Sequence, residues 1–221
     1  MNQPTDGERR TPLSRQRVLE AAVSLADAAG TDVLSMRKLA QELGVVPMAL
    51  YKHVANKDEL LDGMVDLVVA EIGPPGAGEW KSAMRARILG ARRALRRHPW
   101  AARVIESRTA PPPALLGYLD SMAGMFRAGG FSVALTHHAM HAMGSRLLGF
   151  SQELFDDTGA APDPAFVRQL ARAYPHIAEI AGAAAGHDAA STVGACDDQV
   201  EFEFALDLLL DGLERLRAAE A

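Results

Sequence analysis

Five side chains that can donate hydrogen bonds to an anion lie within a short stretch of the chain. They are Arg37, Tyr51, Lys52, His53 and Lys57. Guanidinium, ammonium, imidazole and phenol groups bind phosphate oxygens, and they can also reach acceptor atoms on the edges of nucleic-acid bases. The chemistry that this group of residues predicts is therefore binding to a nucleic acid.

The apolar residues around these side chains predict two short helices that meet at a turn. The spacing of Leu39, Leu43, Leu50 and their apolar neighbours lets both helices bury one shared seam. Ser35 can cap the first helix, and Gly44 can end it in the left-handed conformation. Pro47 suits the first turn of the second helix, where its missing N–H has no intrahelical partner. The pattern at about 35–54 is a helix-turn-helix, with a recognition helix expected at 47–53.

The outward positions of the expected recognition helix carry Pro47, Met48 and Ala49, followed by the polar residues at 51–53. Small side chains permit close approach, and the major groove accepts a helix of this kind. Double-stranded DNA is therefore the leading partner.

The same stretch resembles the TetR-type transcriptional repressors, in the branch that contains the tetracycline repressor. The resemblance rests on Arg-Lys-Leu-Ala-Gln at 37–41, Leu-Gly-Val at 43–45, Leu-Tyr-x-His-Val at 50–54 and Asn-Lys at 56–57. It implies that Arg37 reaches the groove from the first helix, that Tyr51 and His53 contact phosphates, and that Lys57 pairs with a phosphate. The residues at 47–49 and Lys52 differ from those of the tetracycline repressor, so a different operator is expected.

Each residue also has an ordinary structural interpretation. Tyr51 could be a core aromatic with its hydroxyl at the rim, and His53 could offset the dipole at a helix C-terminus. Arg37 and Lys38 could belong to a solvated helix face. The DNA-binding hypothesis is favoured because all of these side chains would otherwise have to occur together by chance.

Helical periodicity recurs along the chain, and strand-like alternation does not. We expect an all-α fold, with an N-terminal three-helix helix-turn-helix DNA-binding domain at 13–72 and a C-terminal helical effector-binding and dimerisation domain at 79–221. Residues 1–12 are expected to form a disordered arm, and the Gly/Pro-rich connector at 73–78 separates the domains. Asn56 and Glu59 have the spacing of a capping box. Helices are expected at about 14–29, 56–72, 79–97, 100–108, 114–128, 132–156, 165–179 and 198–219.

The net charge of −5 is unevenly distributed along the chain. Residues 1–57 carry eight Lys/Arg and six Asp/Glu, whereas residues 197–221 carry eight acids and two Arg. DNA binding needs a local basic face and not a basic protein, so the overall charge does not exclude it. A basic run at 81–108 could be a second nucleic-acid surface, but the favoured interpretation is the solvated side of amphipathic helices.

A cytoplasmic protein is expected. Cys196 is the single cysteine, so a disulfide framework within one chain is excluded. No run of about 18 apolar residues is present, and the N-terminus is not signal-like. The sequence also lacks a nucleophile elbow, a phosphate loop, a metal-ligand set and a redox pair, so an all-α enzyme is the less favoured alternative and no cofactor is expected.

Two segments carry wide apolar stripes that predict a homodimer through helices at about 132–156 and 198–219. In the resembled family, two such helices per subunit form a four-helix interface. The alternative is that both stripes belong to the core of one monomer.

A small-molecule effector is implied by the resemblance, and its identity cannot be read from the sequence. The alternative is a DNA-binding protein without a ligand. Residues that could line an effector pocket, or could equally fill a core, are Trp80, Met84, Ile88, Trp100, Ile105, Leu119, Met122, Phe126, Met140 and Met143.

Three histidines in the predicted helix at 132–156 raise the question of a metal site. His137 and His141 share a helical face, with His138 between them. No Glu stands where a zincin motif requires one, and no third ligand is evident. No metal is therefore expected, and core or interface histidines are the favoured interpretation.

Overall fold

The computed structural model describes residues 12–76, 78–149, 164–179 and 198–220. The regular secondary structure in these ranges is helical, as the sequence predicted. Most of the expected N-terminal arm, and Cys196, lie outside the described residues. The helices are α1 (Arg15–Ala29), α2 (Met36–Leu43), α3 (Pro47–Leu50), α4 (Lys57–Ala70), α5 (Trp80–Arg97), α6 (Trp100–Ser107), α7 (Pro113–Ala128), α8 (Val133–Gly149), α9 (Pro164–Ala173) and α10 (Asp198–Glu220); residues 175–179 are also helical.

Several helices begin at the residues that the sequence predicted, and each of these starts is capped by a side-chain hydrogen bond. The hydroxyl of Ser14 accepts a hydrogen bond from the N–H of Arg17 at the start of α1. At the start of α4, Asn56 Oδ1 accepts from the N–H of Glu59 at 2.8 Å. The Glu59 carboxylate in turn accepts from the N–H of Ala55 at 2.7 Å, one residue before the cap. These reciprocal bonds satisfy donors that the first turn of a helix leaves free.

The recognition helix is shorter than the sequence predicted. Regular α-helix ends at Leu50, and residues 51–53 continue as a hydrogen-bonded turn. The N–H of His53 donates to the carbonyl of Leu50, three residues earlier, at 2.8 Å. The N–H of Val54 donates to the same carbonyl at 3.0 Å, so the Leu50 carbonyl accepts a three-residue and a four-residue bond and closes the turn that ends at Val54.

The first of two compact units extends to Gly129 and contains α1 to α7. Its main core is formed by α1, α2 and α4 with the buried Leu50 and Val54, and it extends into α6 through Trp100, Ala101 and Val104. Helix α4 packs against α1, α5, α6 and α7. Helices of the predicted effector domain therefore pack directly against α4, and the domain boundary at residue 72 stays a prediction.

The second unit begins at Gly130 and contains α8 and α10, which pack against each other. Arg146, late in α8, donates to the carbonyl of Glu201, early in α10, at 2.8 Å. The guanidinium of Arg217, late in α10, lies 5.9 Å from the ring centroid of Phe131, just before α8. The two helices are therefore antiparallel. Their buried apolar residues are Leu135, Ala139, Met143, Phe202, Leu206, Leu210 and Leu213.

The basic run at 81–108 does not form a uniformly solvated face. Arg93, Arg96 and Arg97 are exposed, but Arg87 and Arg92 in α5 are buried. The favoured interpretation is wrong for these two arginines, because α5 packs against α4, α6 and α7 and presents them to its neighbours.

No helix among the residues that the structure describes combines the length and the apolar character needed to cross a membrane.

Gly44 gives the first testable prediction, because its left-handed backbone ends α2. Its φ is +65°, and a Cβ would meet no atom within 4 Å, so the cost of a side chain is conformational and not steric. We expect Gly44→Ala to lower the free energy of unfolding by about 1 kcal/mol. Gly76 also has open space around it, without a left-handed φ, so Gly76→Ala is the matched control. Urea unfolding of both variants measures the difference, and equal effects would contradict this account.

Candidate nucleic-acid interface

A tightly closed turn joins α2 to α3. The hydroxyl of Ser35 accepts from the N–H of Lys38 at 3.2 Å and begins α2. At the other end, the N–H of Val45 donates to the carbonyl of Ala40 at 2.9 Å, next to the left-handed Gly44. This bond pattern is that of a Schellman motif, which fixes the direction of the chain after a helix. The turn therefore sets the angle between α2 and α3 by backbone hydrogen bonds.

Helix α3 is held to the core by one residue and is exposed at most of the others. Leu50 is fully buried, and Val54 follows at the end of the turn with 1% exposure. Met48 is 72% exposed, and Tyr51 is 45% exposed. Pro47 and Lys52 are also exposed, whereas Ala49 is half-buried. The side chains predicted to contact DNA thus lie on a short helix that the buried Leu50 and Val54 hold against the core.

Helix α2 and the start of α4 supply the remaining cationic groups. Arg37 and Lys38 are exposed in the first turn of α2, and Lys57 is exposed at the first residue of α4. A cation at a helix N-terminus opposes the helix dipole, so Lys57 gains nothing from its own helix. Its position is consistent with an external anionic partner.

The alternatives for Tyr51 and His53 can now be compared with their surroundings. Tyr51 lies at the surface with its ring substantially exposed, so the core interpretation is wrong for this residue. His53 is half-buried and lies just after α3. Either role proposed for His53 is compatible with that position, and its phosphate contact stays a prediction.

A buried histidine that the sequence analysis did not single out links the helix-turn-helix to α5 and α6. His98 lies between these helices, with 4% exposure. Its Nδ1 is 2.8 Å from Asp27 Oδ1 in α1, and its Nε2 is 3.0 Å from Glu71 Oε1, just after α4. The indole Nε1 of Trp100 also donates to Asp27 Oδ1, at 2.7 Å. These bonds tie both long helices of the DNA-binding domain to the α5–α6 corner. An open groove of about 300 Å³ beside this corner is lined by Ala26, Asp27, Gly30, Thr31, Asp32, Pro99, Trp100 and Arg103.

The residues predicted to line an effector pocket fall into three places. Trp80, Met84, Ile88, Met122 and Phe126 are buried in α5 and α7, where the Trp80 and Phe126 rings are 6.1 Å apart. Leu119, in α7, is half-buried. Trp100 and Ile105 instead pack in or against the core shared with the helix-turn-helix. The last two, Met140 (half-buried) and Met143 (buried), belong to α8 in the second unit. The pocket itself stays a prediction.

The three histidines of α8 are exposed, so their interpretation as core residues is wrong. The rings of His137 and His141 are 4.6 Å apart between centroids, as expected for one helical face. No group of three or more metal-ligating side chains that could hold an ion is found among the described residues. A place in a subunit interface stays the prediction for these histidines.

Family comparisons cover both parts of the chain. Residues 18–64 match the family described as "Bacterial regulatory proteins, tetR family". Residues 72–217 match "Tetracyclin repressor-like, C-terminal domain".

Curated relatives agree with this assignment. The HTH-type transcriptional repressor DrrR1 of Streptomyces coeruleorubidus is 33% identical over 97% of this chain and 82% of its own length. The class D tetracycline repressor protein of Escherichia coli is 34% identical over 68% of this chain and 71% of its own.

Solved structures with the same fold include that of apo ActR from Streptomyces coelicolor, with a TM-score of 0.74 and 27% identity over 96% of this chain and 99% of that one. ActR in complex with actinorhodin aligns with a TM-score of 0.70 and 26% identity, over 94% of this chain and 99% of that one.

Proposed function

Because the chain belongs to the TetR family of transcriptional regulators, which are not enzymes, we propose that it is a cytoplasmic repressor that binds palindromic operator DNA as a homodimer and is released by a small-molecule effector. Tyr51, His53 and Lys57 hold the DNA backbone, Arg37 reaches the groove from α2, and Lys52 and the residues at 47–49 face the bases. Backbone contacts set position and register, whereas base contacts decide sequence.

The observation that carries this proposal is that α3 exposes its outward side chains while Leu50, on its inner side, is fully buried. A single exposed apolar side chain is common on protein surfaces, so the exposure counts here only together with the charged groups around it. Met48 is 72% exposed on the short helix α3, and exposed cationic residues lie on both sides of it in the sequence. A major groove with its thymine methyl groups and flanking phosphates matches this surface.

A second copy of the chain is the partner that α10 requires. One side of α10 is buried through Phe202, Leu206 and Leu210, within its own unit. The opposite side carries a further apolar stripe whose residues are spaced by four or eight positions and are each more than half exposed: Val200, Phe204, Leu208 and Leu216. A helix with apolar residues on both sides packs on both sides, and two-fold pairing of identical stripes is the usual solution. The space around Gly144 and Gly149 in α8 would allow a close approach there as well.

Release by an effector follows from a population shift. A ligand that binds the DNA-incompetent dimer better than the DNA-competent one lowers operator affinity by that same ratio. The related ActR has been solved with actinorhodin bound, which supports a small-molecule effector for this chain. His98 is hydrogen-bonded to Asp27 in α1 and to the carboxylate that follows α4. A movement of α5 or α6 on effector binding would therefore be transmitted directly to the DNA-binding domain.

Selection from a library of random DNA duplexes tests the proposal. The purified full chain retains duplexes at moderate salt, and the retained pool is sequenced. We expect enrichment of a palindrome whose half-sites lie on one face of the duplex. Enrichment of a non-palindromic sequence, or none, would contradict the proposed function.

Met48 gives a prediction on specificity. Because its side chain is exposed on α3 and carries no charge, its replacement changes base contacts and leaves phosphate contacts in place. We expect Met48→Gln to select a different base at one position of each half-site, with about 1–3 kcal/mol of discrimination per changed base contact. Repeating the selection with this variant measures the change. Val46→Gln, at an exposed position just before α3, is the matched control. An unchanged preference in Met48→Gln would place Met48 outside the groove.

A further inference from the structure

Arg87 is a buried cation whose partners in the structure are all neutral. It lies in α5 with 8% exposure. Its Nη1 donates to the carbonyl of Gly73, and its Nη2 donates to the hydroxyl of Ser121 at 2.9 Å. The guanidinium carbon lies 4.7 Å from the ring centroid of Tyr118. These contacts orient the side chain without neutralising it.

The charge of Arg87 has no counter-ion among the residues that the structure describes. The ion pairs found there join other groups, such as Arg97 with Glu71 and Arg108 with Asp58. A guanidinium remains charged at any physiological pH, and burying it without an anion costs several kcal/mol. In addition, the Nε of Arg87 is buried without an acceptor. An anion bound beside Arg87 would therefore neutralise a buried charge that the described residues leave without a counter-ion.

Tyr118 adds an unsatisfied donor beside the same guanidinium. It is 6% exposed, and its hydroxyl has no hydrogen-bond partner. Burial raises the pKa of Tyr118 to about 12, although the nearby Arg87 opposes this shift. The hydroxyl thus keeps its proton at neutral pH and can donate it to an acceptor. A buried donor without an acceptor costs about 1–3 kcal/mol, which an incoming oxygen would recover.

We propose that the effector carries a carboxylate that pairs with Arg87 and accepts a hydrogen bond from the Tyr118 hydroxyl. This inference rests on the proposed function, since it names the chemical class of the effector. A planar guanidinium recognises a carboxylate through two parallel hydrogen bonds, and charge-assisted bonds of this kind are about twice as strong as neutral ones. A neutral amide would supply the acceptor but not the charge.

The hydrogen bond from Arg87 to the Gly73 carbonyl connects the proposed carboxylate site to the end of α4 in the DNA-binding domain. Gly73 follows α4 by three residues and adopts a left-handed φ of +77°. The carboxylate competes with the Gly73 carbonyl for the same Nη1 donor, and it is the stronger acceptor. Its binding releases the end of α4, whose first residue is Lys57. The effector thus acts on the helix that carries a predicted phosphate contact.

Calorimetric titration with matched acids and amides tests the inference. The probes are benzoate, 2-naphthoate and anthraquinone-2-carboxylate, each compared with its primary amide at the same ionic strength. We expect at least one acid to bind about tenfold or more tightly than its amide, and to weaken binding of the selected operator. If none of the acids binds in preference to its amide, the inference is overturned. Operator binding without any probe tests the proposed function separately, so the two failures are distinguishable.

Three variants locate the binding at this site. Arg87→Met should remove the preference for acid over amide, and Tyr118→Phe should weaken acid binding about tenfold. Arg93→Met removes an exposed arginine of the same helix and should leave acid binding unchanged. Circular dichroism confirms that each variant is folded. An undiminished preference for acid in Arg87→Met, or an equal loss in Arg93→Met, would overturn the assignment.

Discussion

Phe204→Arg should convert the proposed homodimer into a monomer and lower operator affinity by about 100-fold or more. The Phe204 side chain is 62% exposed at the middle of the outer stripe of α10, so the change leaves the buried side of the helix intact. In a two-fold interface each substitution occurs twice, and it places two unpaired cations in an apolar contact. Such burial costs several kcal/mol, and 1.4 kcal/mol corresponds to a factor of ten in affinity.

Light scattering and operator titration measure the two effects of Phe204→Arg together. Ala86→Arg is the control, because it adds the same charge at an exposed alanine of a different helix, α5. We expect it to remain dimeric and to bind the operator as the wild type does. A wild-type protein that is monomeric at micromolar concentration, or a Phe204→Arg variant that stays dimeric, would show that this stripe is not the interface.

Combining Tyr51→Phe with Lys57→Ala should weaken binding to all duplexes to a similar extent, by about 100-fold for the dimer. Each protomer loses one ion pair with phosphate, from Lys57, and one hydrogen bond from the neutral Tyr51 hydroxyl to a charged phosphate, and both protomers contribute. Removing one lysine contact per protomer should also reduce the slope of log affinity against log salt by about 2. Sequence preference should remain unchanged, because neither side chain is assigned to a base.

Fluorescence anisotropy over a series of salt concentrations measures affinity and slope for the double variant. Arg93→Ala removes a positive charge from α5, outside the residues at 37–57 that are predicted to contact DNA, and serves as the control for net charge. If both residues can be replaced without loss of affinity, the assigned phosphate contacts are wrong. A loss confined to one sequence would instead assign these residues to base recognition.

The features that the sequence predicted best are those determined by neighbouring residues. Ser35, Gly44 and Asn56 act on backbone groups within five residues of their own positions, so type and spacing were sufficient to place them. The buried seam was predictable because Leu39 and Leu50 follow helical periodicity. The early end of α3 was not, because the residues at 51–53 are compatible with a further helical turn and with the tighter turn that forms.

The features that depend on distant residues could not be predicted. His98 owes its role to Asp27, which is 71 residues away in the sequence. Arg87 looks like its neighbours in a basic run, and only the packing of α5 against α7 separates it from the exposed arginines. The three histidines of α8 fit a buried or a surface position equally well until the exposed side of the helix is known. In each case the missing information is which faces of two helices meet.

Varying the spacing between the two half-sites of the selected palindrome tests the central claim most directly, because a rigid dimer reads both half-sites at once. Affinity is measured for the selected operator, for a single half-site, and for operators with five or ten added base pairs at the centre. Five base pairs move the second half-site to the opposite face of the duplex, so a two-headed dimer should lose most of its affinity on that operator and on the single half-site. Equal affinity for all four duplexes would contradict a dimeric reader of palindromic DNA.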